Sequence, residues 1–386
     1  MPTANGFLTK LTQKESFFPL SVGFCPNCFM VQLLETVPPQ KMFHDDYQYL
    51  SSTSQRMIKH FEGHATEIIE RISGKKNPFV VELGCNDGVM LLHLAKRGIA
   101  HLGVEPSANV AKLAKAKGVK TKVVFFNAES AREIVREQGQ ADIICGANVF
   151  CHIEDLNSVF EGIRILLKDD GILFMEDPYM LDIINKTSFD QIYDEHVYYF
   201  SGLSVSELGK RHGLQLVEMA PQRVHGGSMR YYLKKYLPGN KMAENVVQLL
   251  EKEKASSLNT PEGYRFFKHN VDSICSNLKN TLKKFKSQGH RIVGYGATAK
   301  STTLLNYAKI GGDLIEYICD TTPNKVNKFT PGTHIPIKPY DVFAKDSVSY
   351  ALLLAWNHED EILQKEEAYR KRGGKFILYF PEVAIE

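Results

Sequence analysis

The chain predicts an α/β protein with two open parallel sheets, a larger central one and a smaller one near the C-terminus, behind a small irregular N-terminal region. Two observations predict it. Short β-rich runs alternate with helical patterns twice along the 386 residues, as expected of parallel strands joined by crossover helices. Each series opens on an apolar run that ends in a glycine-bearing turn, Val80-Val81-Glu82-Leu83-Gly84-Cys85-Asn86-Asp87-Gly88 and Ile292-Val293-Gly294-Tyr295-Gly296-Ala297-Thr298-Ala299. A strand, a glycine turn and a helix N-terminus together present free backbone N–H groups and the positive end of a helix dipole. The chain is therefore expected to bind two nucleotide-like ligands.

In chain order, residues 1–72 are aromatic-rich and irregular. They carry Cys25-Pro26-Asn27-Cys28, then Phe43-His44-Asp45-Asp46-Tyr47, and an amphipathic helix expected from Ser54 to Ile72. Residues 73–200 hold the first alternation, with strands expected at 79–83, 101–104, 119–125, 141–147 and 171–176. Helices are expected between them near 88–97, 107–117, 128–137 and 155–168. Residues 201–386 form the last unit. Met229, Tyr231 and Leu233 alternate like a strand. Tyr264, Phe267, Val271, Ile274, Leu278, Leu282 and Phe285 recur at three and four, the core face of a long helix. From about residue 288 the second alternation begins, with strands near 291–295, 314–319, 350–354 and 376–380.

Composition narrows the class. With 43% hydrophobic and 24% charged residues, and a net charge of +3 from 47 basic and 44 acidic side chains, nothing favours nucleic acid or a membrane surface. Seven scattered cysteines and no apolar leader read as reduced thiols in a cytoplasmic protein. No run reaches the roughly 18 apolar residues of a membrane span.

The first turn places Asn86 where a Gly-x-Gly-x-x-Gly fingerprint has its middle glycine, so a cofactor without a pyrophosphate fits it better. Its candidate cofactor-binding residues are Glu82, Gly84, Asn86, Asp87 and Gly88. Glu105, which closes the next strand, is placed to accept ribose hydroxyls, and Asn148 follows the fourth strand. Ordinary turn geometry is the competing reading of the glycines. The second turn does match Gly-x-Gly-x-x-Ala through Gly294, Gly296 and Ala299, and on spacing alone a nicotinamide nucleotide fits it. Lys300, just inside the helix, adds a charge suited to phosphate.

Between the turns lies the densest ionisable and aromatic cluster, Phe189-Asp190-Gln191-Ile192-Tyr193-Asp194-Glu195-His196-Val197-Tyr198-Tyr199-Phe200. It supplies an imidazole for proton abstraction and hydroxyl donors for an oxyanion; a surface loop that packs its aromatics is the competing reading. His152 stands at the carboxyl edge of the sheet, and His225-Gly226-Gly227 forms a third polar loop. Cys25 and Cys28 are half a zinc knuckle, because structural zinc takes four ligands and the spacing of His44, His60 and His64 does not single out the others.

Taken together, several stretches resemble the S-adenosylmethionine-dependent C-methyltransferases of nucleotide-linked 4-keto-deoxysugars. They are Phe24–Leu33, Glu82–Gly88, Thr187–His196, His225–Gly227, Gly294–Lys300 and Ala355-Trp356-Asn357-His358, in family order over nearly the whole chain. The resemblance implies a zinc-binding-like N-terminal domain and a central Rossmann-like class I methyltransferase sheet. It also implies a smaller Rossmann-like C-terminal α/β domain that holds the sugar nucleotide, which favours a sugar nucleotide over NAD at the second turn. It implies that His196 is the base, with Tyr47, His152, Tyr193 and Glu195 around the sugar, and with His225, Gly226, Gly294, Tyr295, Gly296, Lys300 and Asn357 on the substrate. The family's zinc uses a further CxxC upstream of a segment like Pro2-Thr3-Ala4-Asn5-Gly6-Phe7-Leu8, where this chain starts, so zinc is in question here. The expected reaction is C3 deprotonation to an enolate stabilised by Tyr193 or His152, then methyl transfer, by a monomer or small homo-oligomer. An NAD-dependent oxidoreductase and a non-catalytic sugar-nucleotide-binding protein are the alternatives.

Overall fold

The computed structural model describes residues 1–38 and 50–386. β1 (Val22–Phe24) and β2 (Val31–Leu33) form an antiparallel hairpin. β3 (Phe79–Leu83), β4 (Ala100–Val104), β5 (Thr121–Lys122), β6 (Ala141–Ala147) and β7 (Leu167–Pro178) are mutually parallel. β8 (Tyr198–Tyr199) pairs with β2, whereas β9 (Leu214–Gln222) and β10 (Ser228–Lys235) return to the parallel strands. The central sheet thus runs β5-β4-β3-β6-β7-β10-β9, with β10 antiparallel to both neighbours. The inner parallel strands β3, β4 and β6 are buried on both faces, as parallel strands under helices must be. Val81, Leu83, Leu102, Val104 and Ile144 belong to one apolar layer, and Val80, Ile143, Cys145, Phe174 and Tyr232 to the other.

The C-terminal unit repeats the plan with β11 (Ile292–Tyr295), β12 (Ile318–Asp320), β13 (Ile337–Pro339), β14 (Tyr350–Leu353), β15 (Lys375–Leu378) and β16 (Ala384–Ile385). The order is β13-β12-β11-β14-β15-β16, parallel except for β16. The expected long helix is Pro261–Ser287, and its stripe from Phe267 to Leu282 is buried in the core.

Four elements differ from expectation. The central sheet continues past residue 200, because β9 and β10 close its edge. The helix Gln55–Arg71, capped by the Ser54 side chain on Met57 N, packs Met57, Phe61, Ala65 and Ile68 on the central sheet rather than on the N-terminal region. The β5 ladder stops at Lys122, whose carbonyl takes the Glu105 N–H as β4 ends, leaving Val123 and Phe125 exposed. The strand expected over 314–319 is shortened to Ile318–Asp320, because a turn from Gly311 buries Leu314 and Ile315 first. Among the described residues no helix is long and apolar enough to cross a membrane, and all seven cysteines are free.

Chain order reverses between β3 and β6 and again between β11 and β14. In open α/β sheets such reversals leave a crevice at the carboxyl ends of the strands, where ligands bind.

Candidate active site

Both glycine turns sit on these crevices. Gly84 follows β3 at φ 62°, and a Cβ there would overlap the side chain of Val149, which follows β6. Gly296 follows β11 at φ 89°, and its Cβ would stand 2.7 Å from that of Ala355, which follows β14. Glycine is therefore required twice, by conformation and by close approach.

Around the first turn the structure gathers the expected cofactor residues. Glu105 Oε2 accepts Asn86 N–H at 2.9 Å, and its Oε1 accepts Ser107 N–H at 2.9 Å. This carboxylate ties two loops together, and each oxygen keeps a second lone pair for a ligand hydroxyl. Asn86 lies at φ 49°, its Oδ1 accepting Ser51 N–H at 3.0 Å. Asp87 pairs with Lys117 at 2.8 Å and accepts the Ser52 hydroxyl. Glu82 is 5% exposed, and burial together with the Glu105 and Asp87 charges pushes its carboxyl well above the usual range. Glu82 Oε2 and Asp87 Oδ1 have no hydrogen-bond partner among the described residues. A glycine cradle lined by three carboxyl groups, two with an unpartnered oxygen, suits a cationic ligand that carries hydroxyls. Gly88 lies at φ 78°, where a Cβ would press on Ala114 and Val119. Asn148, at φ 55°, donates its N–H to Glu176 O at 2.6 Å beside Val149.

The second turn mirrors the first, with Asp320 taking Ala297 N–H at 2.7 Å and Thr322 N–H at 2.7 Å. Lys300 turns toward the centre of the molecule. Its Nζ donates to His225 O at 3.3 Å and stands 4.9 Å over the Trp356 ring. Burial lowers the Lys300 pKa to about 8 while Asp190 opposes the shift. Gly226, at φ 87°, lies so close to the Trp356 indole that a Cβ would collide with it. His225 is held neutral by burial and Lys300, with a pKa of about 3, and its Nε2 is unpartnered among the described residues. Asn357 O accepts from Arg56 at 3.0 Å, joining the Gln55–Arg71 helix to this loop. Gly294 packs on Ile318 and Leu354 within β11. Tyr295 goes elsewhere: strand alternation turns its ring into the layer of Phe343 and Phe376, and its hydroxyl donates to Glu366 at 2.8 Å. Its side chain is core, not crevice lining, which corrects the expected substrate contact.

The segment between the units brings its ionisable side chains together. His196 is 6% exposed, with Nδ1 2.9 Å from Gln191 O and Nε2 2.8 Å from Tyr193 Oη. A carbonyl only accepts, so Nδ1 carries the hydrogen and Nε2 presents its lone pair. Burial, the nearby His152 and Lys300 all keep the ring neutral, well below the usual imidazole pKa. His152 lies with its ring 4.9 Å from that of His196, and its Nδ1 is 2.6 Å from Glu195 O. By the same reasoning His152 Nε2 is an acceptor and offers no hydrogen to an oxyanion, whereas the Tyr193 hydroxyl carries one. The Glu195 carboxylate bonds Asn5 at 2.6 Å, and Gln191 rather than Glu195 orients His196. Tyr47 lies outside the described residues.

Two groups were not expected from the sequence. Asp190 is fully buried and accepts from Trp356 Nε1 at 2.8 Å and Tyr379 Oη at 2.9 Å, with burial raising its carboxyl to about 6. Asp177, under Cys151 N at 3.1 Å, is raised by burial to about 8. The sequence signal for Asp190 is its place in the ionisable cluster, and for Asp177 an acidic residue at the end of a buried run.

Cys25 and Cys28 face each other across a tight turn closed by Cys25 N–Met30 O at 2.9 Å and Phe29 N–Cys25 O at 2.8 Å. His60 is bonded to Glu176 at 2.6 Å and His64 is stacked on Phe174, so neither reaches the pair. Two thiols do not make a tetrahedral zinc site, and the described residues supply no other ligand there; His44 lies outside them.

The family model "C-methyltransferase C-terminal domain" matches residues 223–381, "Methyltransferase domain" matches 57–219, and a zinc binding domain model matches 1–43. C-methyltransferase NovU of Streptomyces niveus is 32% identical over 371 residues, 96% of this chain and 88% of that protein. Among solved structures, PH0226 protein from Pyrococcus horikoshii is 19% identical with a TM-score of 0.38, covering 49% of this chain and 95% of that one. Magnesium protoporphyrin IX methyltransferase from Synechocystis, solved with bound SAM, is 11% identical with a TM-score of 0.36, covering 46% and 79%. The NovU relative, covered over most of its length, and the two methyltransferase models point the same way: the chain belongs to the S-adenosylmethionine-dependent C-methyltransferases.

Proposed function

We propose that the chain methylates C3 of a nucleotide-linked 4-keto-deoxysugar, with His196 as the base. The observation that carries the reading is the His196 environment: a neutral imidazole with its lone pair on Nε2, a phenol 2.8 Å away, and a glycine-lined crevice in each flanking unit. A ketone at C4 acidifies the C3 proton. His196 Nε2 takes that proton, the C3–H electrons move onto the C4 oxygen, and the Tyr193 hydroxyl turns from Nε2 to that oxygen. Burial disfavours the imidazolium this step creates, and the enolate charge beside it offsets that cost. Glu82, Glu105 and Asp87 at the Gly84 turn would hold S-adenosylmethionine, whose sulfonium would supply the methyl for C3 as its S–CH3 bond breaks and S-adenosylhomocysteine leaves. Lys300, His225 and Gly226 receive the phosphates and the sugar, and Lys300 supplies the positive charge they need.

The test is exchange of the C3 proton with solvent deuterium, followed by NMR on a nucleotide-linked 4-keto sugar with the demethylated cofactor product present. Exchange that requires His196 supports the reading. Exchange and methyl transfer at near-normal rates in His196→Asn overturn it.

A further inference from the structure

The first eight residues run as a strap between the catalytic segment and the C-terminal unit. Ala4 N donates to Asp194 Oδ1 at 2.8 Å, and Asn5 Nδ2 donates to Glu195 Oε1 at 2.6 Å. On the other side, Thr302 Oγ1 donates to Ala4 O at 2.9 Å, and Leu8 and Phe329 exchange backbone hydrogen bonds of 2.9 and 3.0 Å. Ala4 and Leu8 are 1% and 2% exposed, so the strap is packed into the molecule.

What the strap holds is the stretch on which the reactive cluster depends. The carbonyl of Glu195 accepts the His152 Nδ1–H at 2.6 Å, and His196 is the next residue. We propose that Asn5 is a positioning residue of this site: its amide fixes Glu195, and Glu195 fixes His152 beside His196. The inference rests on the base assignment above. Around the Glu195 carboxylate stand Lys325 from the loop after β12, the neighbouring Asp194, and Cys151 from the loop after β6, while His152 from that loop meets the Glu195 carbonyl. Lys325 also donates to Ala297 O at 2.8 Å, so the strap, the catalytic segment and the second glycine turn meet at one place. Burial raises the Glu195 carboxyl, while the Asn5 hydrogen bond and the Lys325 charge lower it. Loss of the amide therefore raises it further and disorders its geometry.

The test uses the full chain carrying Asn5→Ala, Asn5→Gln or Thr302→Val. The kcat and KM for a nucleotide-linked 4-keto sugar are measured against pH, and the ligand-free proteins are labelled with ¹⁵N-histidine for NMR. For Asn5→Ala we expect kcat to fall about ten-fold, the lower end for a hydrogen bond to a charged group. The S-adenosylmethionine KM should stay unchanged and the acid limb of kcat should move to higher pH. Asn5→Gln should recover part of the rate. Thr302→Val, which loosens the strap without touching Glu195, should move the limb in the same direction, and the His152 ring-nitrogen signals should shift in both Asn5→Ala and Thr302→Val. An unmoved acid limb together with unmoved His152 signals overturns the proposal. If the wild-type chain leaves the keto sugar unmethylated, the base reading fails, and the His152 signals alone decide whether the strap positions the cluster.

Discussion

Gly84→Ala is the sharpest test of the first crevice. The residue is left-handed at φ 62°, a conformation that costs an L-residue about 1–2 kcal/mol. The added methyl would lie 3.2 Å from Val149 Cγ1 and overlap Cγ2, an overpacking that typically costs about 1–3 kcal/mol. The two contributions give about 2–5 kcal/mol of lost stability. They are separable, because Val149→Ala removes both γ-methyls and leaves its Cβ at 3.4 Å, an ordinary contact. Denaturant unfolding of the four proteins of the cycle, followed by far-UV circular dichroism, should show the double variant recovering the steric part while keeping the conformational part. Calorimetric titration should show S-adenosylmethionine binding weakened at least about ten-fold in Gly84→Ala, equal to about 1.4 kcal/mol. Additive substitutions, or Gly84→Ala within about 0.5 kcal/mol of the wild type, would refute the close approach of the two loops.

Glu105→Ala removes a carboxylate that ties two loops and faces the same crevice, so S-adenosylmethionine should bind more weakly by about 1.5–3 kcal/mol. Titration showing unchanged affinity removes Glu105 from the site. Lys300→Ala should raise the KM for the sugar nucleotide and leave the S-adenosylmethionine KM alone. Because burial lowers Lys300 from the usual lysine value to about 8, its charge is present below that pH and lost above it. The wild-type KM for the sugar nucleotide should therefore climb as pH rises through about 8, and the variant should not show that climb; a parallel climb in both assigns it to another group.

What could be read from the sequence follows from how local each feature is. The glycine turns were legible because left-handed backbone and close approach both demand glycine at a strand end, and Glu105 because the carboxyl end of the next strand lies beside that turn. The Tyr295 placement was within reach too: in β11 the period of two sets Val293 and Tyr295 on the face opposite Gly294. The β9–β10 addition to the central sheet was not legible, since nothing local says that a hairpin inserts its second strand next to β7. The role of Asn5 was also hidden, because its partner lies 190 residues away and only tertiary packing brings them together. His152 was identified at the sheet edge, but its tautomer depends on a carbonyl from residue 195, which no pattern in the sequence displays.

The proposed reaction depends on removal of the C3 proton by the His196 imidazole before methyl transfer. The direct measurement is C3 exchange by NMR in D₂O on a nucleotide-linked 4-keto sugar with the demethylated cofactor product bound, run beside methyl transfer on the same preparation. Exchange is expected with the wild-type chain. In His196→Asn both exchange and turnover should fall by about 10²- to 10⁴-fold or more, with both ligands still bound. Near-normal exchange and turnover in that variant would contradict it and move the search for the base to Tyr193 or His152.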